Sequence, residues 1–212
     1  QKIEACDREI EAYMKTLDAQ RDPQDQPQPP ASKRRKNQVH FDLREQLHRW
    51  TGVDLTVLPA IDAMTAQTVL SESGIDMSRF QTEKHYSSWL GLCPNHQITG
   101  GKIRKRRTRK VRNRAAVALR VAAQSLHKSK TALGAYYRRM RGRLGPAKAI
   151  TATARKLAVL IYRLLRYGQP YVEQGQQAYE RQHEQRKLAT LLKRVQQMGY
   201  AMIDPTTGEI VS

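Results

Sequence analysis

The sequence predicts an all-α protein in which a helical domain is flanked by coiled-coil helices. Apolar residues recur at spacings of three and four, which is the period of a helix that buries one face. Glycines, prolines and short polar side chains interrupt these patterns at intervals, as helix caps do. Near the C-terminus, residues 204–208 have the composition of a turn, which allows one short C-terminal hairpin.

The 212 residues divide into five predicted segments. They are a coiled-coil helix (1–21), a proline-rich and basic linker (22–40), a helical domain (41–170), a long C-terminal helix (171–199), and a turn and tail (200–212). The first helix carries its apolar stripe at Ile3, Cys6, Ile10, Tyr13 and Leu17, and the last at Leu188, Leu191, Val195 and Met198. A stripe this narrow needs a partner helix, in this chain or in another copy.

Within the helical domain, apolar spacing and cap residues predict individual helices. They lie at about 41–50, 60–73, 82–90, 113–127, 131–140 and 146–167. Trp89 is the expected core anchor of the third helix, and Thr131 is the expected cap of the fifth. Gly142 is expected to lie in the break after the fifth helix. We predict that the stretch 96–102 is irregular.

The charge is strongly positive and unevenly distributed. The formal net charge is +19, and the 89 residues from Lys84 to Val172 contain 22 Lys or Arg but no Asp or Glu. A solvated surface normally intersperses both signs, so this block favours a polyanionic partner, with nucleic acid as the first interpretation. An anionic membrane surface and a merely basic protein are the alternatives. Catalysis by clustered carboxylates is excluded within the block, because it has none.

Other classes of protein are disfavoured by composition. No run of 18 apolar residues exists, so no membrane span is expected, and the charged residues 1–20 do not resemble a secretory leader. Cys6 and Cys93 make neither a disulfide framework nor a zinc site, and we predict no metal site in this chain. We expect a cytoplasmic, nucleoid-associated protein. Because the first residue is Gln1 rather than methionine, we expect a fragment or a processed chain.

Residues 58–70 have the outline of a DNA-binding helix-hairpin-helix. Such hairpins depend on glycines for close approach of the backbone to phosphate. Ala60 and Asp62 stand in those places here. The pattern therefore favours a plain helical hairpin that packs the core, with DNA binding as the alternative.

Thr99 is the residue with the clearest chemical pattern. Its hydroxyl precedes Gly100 and Gly101, and ten Lys or Arg follow between residues 102 and 120. A hydroxyl nucleophile attacking a phosphodiester needs an oxygen, room for the phosphate, and positive charge for the transition state. On spacing alone, a simple turn remains the commoner interpretation of Thr-Gly-Gly.

Several ordered blocks between about residues 40 and 185 resemble one family. The blocks are Ile61–Ala66, Asp76–Phe80, His85–Pro94, Ile98–Lys102, Asn113–Ala116, Leu119–Arg120, Ala122–Leu126, Ala132–Arg139, Ala147–Ala152 and Ala154–Leu157. They are similar to transposases of insertion-sequence family 110, in its 1111 subgroup. The resemblance covers the C-terminal part of such proteins.

The resemblance implies a DNA recombinase that excises and inserts a mobile element. It implies guidance by a structured bridge RNA, and an N-terminal RNase H-like domain whose four acidic residues bind Mg²⁺. It also implies a helical C-terminal domain whose serine attacks DNA and stays attached to it as a phosphoserine. A coiled coil joins the two domains and mediates dimers and tetramers.

This chain departs from the family pattern in three ways. The acidic N-terminal domain is not among the 212 residues, so the chain alone is expected to be inactive and to bind no cofactor itself. Thr99 stands where the family has serine, and its β-branch restricts the side chain and crowds the oxygen. Arg112 stands where the family has a glycine. Ser87 and Ser88 are alternative nucleophiles.

Two hypotheses follow. In the first, Thr99 is the catalytic nucleophile and the DNA- or RNA-binding residues are Gly100, Gly101, Lys102, Arg104, Lys105, Arg106, Arg107, Arg109 and Lys110, with Asn113, Arg120, Arg138, Arg139, Arg155 and Lys156 as further members. The predicted partners are DNA, a guide RNA and further copies of the chain. In the second hypothesis, the protein is a non-catalytic, nucleic-acid-binding and dimerising remnant of such a transposase.

Overall fold

The structure, a computed structural model, describes residues 2–17, 39–109, 111–203 and 210–211. The chain forms two compact units, residues 1–172 and residues 173–212. The linker predicted at 22–40 and the turn predicted at 204–208 fall almost wholly outside the described residues.

The described residues confirm the predicted all-α class, with only small sheets. The helices are α1 (Lys2–Thr16), α2 (Leu43–Thr51), α3 (Ala63–Ser73), α4 (Glu83–Trp89), α5 (Arg114–Ser125), α6 (Ala132–Leu144), α7 (Pro146–Tyr167) and α8 (Gln169–Gln197). The strands are β1 (Pro94–Thr99), β2 (Lys102–Thr108), β3 (Met202–Ile203) and β4 (Ile210–Val211). Short 3₁₀ turns lie at Leu55–Val57, Met77–Arg79 and Leu126–Lys128.

Side-chain caps set the helix starts, as the sequence predicted at several positions. Asp42 accepts from the Glu45 amide at 3.0 Å, and Thr131 accepts from the Gly134 amide at 3.2 Å. Each cap satisfies an amide that the first helical turn would leave unpaired. Pro146 occupies the first turn of α7, where a missing N–H costs nothing.

Helix α7 is the centre of the larger unit and packs against α4, α5 and α6. Its buried face includes Leu157, Ile161 and Tyr162, and small alanines such as Ala123 on α5 let the helices approach closely. The Tyr162 hydroxyl donates to the Phe80 carbonyl at 3.0 Å, which ties α7 to the segment before α4. This apolar core fixes the helices from which the basic residues project.

Two predictions about the core were wrong. Trp89 is 40% exposed, whereas Tyr86, one turn earlier on α4, is fully buried. Tyr86 anchors α4 instead, because its ring contacts Phe80 edge-on at 5.0 Å and Tyr162 at 6.0 Å. Gly142 does not interrupt the chain: it lies inside α6, which continues to Leu144 and ends at Gly145.

The predicted stripe on α1 faces away from the helical core. Ile3 is 75% exposed and Tyr13 is 67% exposed, while the buried residues of α1 are Asp7 and Met14. The Met14 carbonyl accepts from Arg49 at 2.9 Å, so α1 is held to α2 by its other face. The apolar stripe therefore points away from the core, and its pairing in a coiled coil stays a prediction.

The second unit contains most of α8 and a small hairpin. Met202–Ile203 pairs with Ile210–Val211 as antiparallel strands, where the sequence allowed a C-terminal hairpin. Leu188 and Leu191 on α8 are 46% and 49% exposed. No helix in the described part of the chain is long and apolar enough to cross a membrane.

Candidate nucleic-acid interface

The stretch after α4 is a β-hairpin, which the sequence prediction of an irregular segment missed. Strands β1 and β2 are antiparallel, with Pro94 opposite Thr108 and Thr99 opposite Lys102. Gly100 and Gly101 form the turn with φ angles of 58° and 72°. A two-residue hairpin turn of this kind needs positive φ at both positions, which explains the glycine pair in structural terms.

The side chains that the structure describes on the hairpin strands are exposed, apart from the half-buried Thr108. The exposed side chains are those at positions 94, 95, 96, 98, 99, 102, 104 and 107. Ile98 is 63% exposed, although it lies in the middle of the paired region. A Cβ built at Gly100 or Gly101 would meet no heavy atom within 4 Å. The tip is therefore open to a large ligand.

The base of the hairpin is fixed by a close backbone approach. Gly91, which follows α4, has a φ of 67°, and a Cβ there would lie 2.4 Å from Cγ2 of Val111 and 3.2 Å from the Arg109 carbonyl. The segments entering and leaving the hairpin therefore touch at Gly91. Arg120 on α5 also reaches the Gly91 carbonyl, at a long 3.5 Å. The hairpin therefore has a closely packed base at Gly91 and an exposed arm beyond it.

Thr99 is the last residue of β1 and lies at the tip of the hairpin. Its side chain is exposed, and Lys102 is its cross-strand neighbour. Ser87 is fully buried, and its hydroxyl donates to the Glu83 carbonyl at 2.8 Å. Ser88 is half-buried on α4. Of these hydroxyls, Thr99 is the most accessible to a bulky phosphodiester.

The predicted basic residues of the hairpin have no acidic partners where the structure describes them. Lys102, Arg104, Arg107 and Arg109 are exposed and form no ion pair with the described residues. Lys110 and the side chains of Lys105 and Arg106 lie outside the described part of the chain. The pairing passes from Ile98–Ile103 to Gln97–Lys105, so a β-bulge at Arg104 interrupts the alternation of side chains along β2.

Three of the predicted nucleic-acid-binding residues on or beside the helices make contacts within the fold. Asn113 caps α5 by accepting from the Ala116 amide at 3.1 Å. The Arg138 guanidinium donates to the carbonyls of Ser129, at 2.6 Å, and His127, at 3.1 Å. Arg120 is half-buried beside Gly91. Asn113 thus stabilises a helix start and the two arginines bind backbone carbonyls, so basic character alone does not mark a ligand contact.

Two other predicted residues meet at one aromatic ring. Arg139 Cζ lies 5.7 Å from the centroid of the Tyr136 ring, and Lys156 Nζ lies 4.6 Å from it. Arg155, next in the chain to Lys156, is half-buried on α7. The sequence prediction missed Tyr136 and the exposed Arg143. The sequence spacing indicates both residues. Arg143 follows Arg139 by four residues and Tyr136 precedes Arg139 by three, so the three share one face of a helix.

Several acidic residues of the helical core are committed to ion pairs. Arg163 on α7 pairs with Glu83 on α4 (Nη2 to Oε1 2.8 Å), and Arg114 pairs with Glu72 at 2.7 Å. Arg44 on α2 donates to Asp54 at 3.1 Å. Burial opposes ionisation of Asp54, but the bonds from Arg44 and Thr56 outweigh it, so the pKa of Asp54 lies below its usual value.

The residues present do not fit a metal ion. The described ranges bring together no group of three or more His, Cys, Asp or Glu side chains suited to one. Cys93 instead donates to the Ser87 hydroxyl at 3.4 Å. No step of the chemistry below is therefore assigned to a metal held by these residues.

The segment 58–70 packs as the sequence favoured. Leu58, Ile61, Val69 and Leu70 are all buried. Ala60 nevertheless adopts a φ of 66°, a conformation that glycine takes more readily. Asp62 caps α3 by accepting from the Thr65 amide at 2.8 Å, so a carboxylate occupies the helix start where a phosphate would bind.

Residues 53–138 match the family model for the transposase IS116/IS110/IS902 family. The matched segment includes the hairpin, α3, α4 and α5, and it ends within α6. Neither the curated proteins nor the solved structures yield a match to the chain. The family match supports the resemblance to transposases of insertion-sequence family 110, and it supports DNA as a partner. The 1111 subgroup and RNA guidance stay predictions.

Proposed function

We propose that this chain is the DNA-attacking part of a transposase, in which Thr99 supplies the nucleophilic hydroxyl. One observation carries the proposal: an exposed hydroxyl lies at the open tip of a hairpin, with a lysine opposite and further cations along the arm that have no acidic partner among the described residues. Such an arm can approach a DNA backbone without steric conflict. Lys102, Arg104, Arg107 and Arg109 would contact the phosphates flanking the attacked one, which positions the DNA without reading its sequence.

The reaction is a transesterification. Oγ1 of Thr99 attacks phosphorus and forms a new O–P bond, while the bond from phosphorus to one deoxyribose oxygen breaks. The hydroxyl proton passes to water, and the departing sugar oxygen takes up a proton and becomes a free hydroxyl. The protein is left joined to one DNA end through a phosphothreonine ester. Reversal of the step rejoins DNA, because the phosphothreonine ester conserves the energy of the phosphodiester bond that was broken.

The cations at the tip serve the transition state. Negative charge grows on the phosphoryl oxygens and the leaving oxygen during attack, and fixed positive charge stabilises it more than it stabilises the ground state. Lys102 is the nearest candidate because it is paired with Thr99 across the turn. Gly100 and Gly101 leave the tip without side chains, so the backbone can lie close to the phosphate.

Further parts of the machinery are proposed from the family resemblance. Mg²⁺ would be held by acidic residues of an RNase H-like domain outside these 212 residues. A structured bridge RNA would pair with the element ends and the target, and coiled-coil pairing through α1 would join copies into dimers or tetramers. The outward stripe of α1 supports the last of these, because its apolar residues are exposed in one copy.

Covalent trapping tests the proposal. The product of the full open reading frame, supplied with Mg²⁺ and element-derived RNA, is incubated with end-labelled junction DNA and run on a denaturing gel. We expect a protein–DNA adduct with wild type and with Thr99→Ser, and none with Thr99→Ala. Ser88→Ala is the matched control and should keep the adduct. An adduct that survives Thr99→Ala contradicts the assignment.

A non-catalytic, DNA-binding and dimerising remnant is the second candidate. The observation that favours it is Thr99 itself, because the β-branch leaves the hydroxyl fewer orientations than the serine of the family pattern. This candidate predicts tight DNA binding with no adduct in wild type. It also predicts that Thr99→Ser alone does not restore one.

A further inference from the structure

A second basic surface, separate from the hairpin, lies along α6 and α7. Tyr136 on α6 is approached by Arg139 from the same helix and by Lys156 from α7. Because both cations lie on one ring, they are at most about 10 Å apart, which is one screening length at 0.1 M salt. Two like charges are thus held close together by the packing of two helices.

The surface extends by one helical turn toward the end of α6. Tyr136, Arg139 and Arg143 follow the i, i+3, i+7 pattern, so they share one face of the helix. Arg139 and Arg143 are exposed, and neither forms an ion pair with any residue in the described ranges. We call Tyr136, Arg139, Arg143 and Lys156 the basic strip.

The arginines of the basic strip differ from the neighbouring Arg138, which makes contacts within the fold. Arg138 lies on the same helix, but its guanidinium donates to two loop carbonyls. A cation–π contact at an exposed site contributes only about 0.5–1 kcal/mol, which does not account for gathering three cations on one surface. Among the described residues, Arg139 and Arg143 have no acidic partner. Such a surface favours an anion supplied from outside.

We propose that the basic strip binds the phosphate backbone of duplex DNA. The inference rests on the proposed function, which makes DNA the partner of the chain. Residues one helical turn apart have Cβ atoms about 5–6 Å apart, so cations at these positions can contact successive phosphates. The Tyr136 ring already carries two cations, so the strip is built for backbone contact rather than for stacking of unpaired bases.

Salt-dependent binding tests the strip. The double variant Arg139→Gln/Arg143→Gln is compared with wild type on a fluorescent 30-base-pair duplex, by anisotropy over a NaCl series. The control Arg181→Gln/Arg186→Gln removes the same charge from two exposed arginines of α8. Loss of two phosphate contacts makes the slope of log affinity against log salt shallower by about 1.8. We expect that change in the strip variant and a change below about 0.5 in the control.

Further arms make the result decisive. Arg139→Lys/Arg143→Lys keeps both charges and should keep the wild-type slope, whereas an equal loss in this variant would overturn the proposal. Equal slopes for the glutamine variant and its control would overturn it as well, as would a loss confined to an RNA hairpin of matched length. If wild type shows no affinity for the duplex, the proposed function fails. If wild type binds the duplex and the strip variant shows the same salt dependence, the proposal for the basic strip fails and the proposed function stands.

Discussion

The β1–β2 hairpin and the helical core around α7 use arginine for opposite purposes. In the core, Arg163 and Arg44 are paired with Glu83 and Asp54, and each pair joins separate segments of the chain. On the hairpin, Lys102 and Arg104 are exposed and have no acidic partner in the described residues. The same residue type thus stabilises the fold in one region and remains available to an external anion in the other.

The contrast extends to packing. Tyr86 and Leu157 in the core are fully buried, whereas Ile98 on the hairpin is 63% exposed. The stability of the protein therefore resides in the core, and the hairpin can change its surface at little cost in folding. The two regions meet at Gly91, so substitutions there should affect both.

The largest effect is expected where the regions meet, at Gly91. Gly91→Ala places a Cβ against Val111 and the Arg109 carbonyl, at a backbone position of positive φ. We expect a loss of roughly 3 kcal/mol in the free energy of unfolding, from overpacking plus the left-handed backbone. Urea denaturation measures it. Gly100→Ala is the control for φ alone, because its Cβ would meet open space, and an equal loss in both variants would contradict the packing argument.

The next effect separates binding from stability. Lys102→Gln/Arg104→Gln/Arg107→Gln removes three exposed charges from the hairpin. We expect the slope of log affinity for duplex DNA against log salt to become shallower by about 2.7, because three phosphate contacts are lost. The free energy of unfolding should change by less than about 0.5 kcal/mol, since exposed side chains contribute little to it. Unchanged DNA binding, or a marked loss of stability, would remove the distinction between the two regions.

A smaller effect concerns the core alone. Asp54→Asn should lower the free energy of unfolding by roughly 2 kcal/mol near neutral pH, because it replaces the carboxylate that pairs with Arg44 by a neutral amide. Since folding lowers the pKa of Asp54, this advantage of wild type is full above about pH 4 and disappears as the pH falls through the folded-state pKa. Denaturation at pH 7 and pH 3 measures both.

Glu72→Gln is the matched control for Asp54→Asn. Its partner Arg114 is 80% exposed, so the loss should stay below about 1 kcal/mol at either pH. A loss as large as that of Asp54→Asn would show that burial does not decide the strength of these pairs.

The smallest effect lies at alkaline pH. Burial raises the pKa of Tyr86 to about 12, and the nearby Ser73 hydroxyl offsets this only in part. Tyrosine in the unfolded chain ionises near pH 10, so wild type should lose stability between pH 10 and 12, by up to about 1.4 kcal/mol per pH unit from this residue. Tyr86→Phe should lack this component. Urea midpoints at pH 9 and 11 test it, and equal pH dependence in both proteins would contradict the assignment.

Local signals in the sequence predicted much of the helical core. Asp42, Thr131 and Pro146 are read directly from residue type and position, because capping depends on the nearest few residues. The choice between Tyr86 and Trp89 could not be predicted, since α4 is short and either ring could point inward. Only the contacts with Phe80 and Tyr162 decide it.

The hairpin escaped prediction for a physical reason. A half-buried strand is recognised by alternating apolar residues, but five of the seven residues of β2 are Lys or Arg, and Ile103 is its one aliphatic residue. The separation of Arg138 from Arg139 also needed the structure, because adjacent helical residues point in different directions. Composition identified a basic protein, and only the fold shows which cations remain available.

The most direct measurement is the identity of the residue that carries the DNA. The trapped protein–DNA adduct is digested with nuclease and protease, and the modified peptide is sequenced by tandem mass spectrometry. We predict a nucleotide on Thr99, at the open tip of the hairpin. A nucleotide on Ser88, or on the buried Ser87, would contradict it and would move the chemistry from the hairpin to α4.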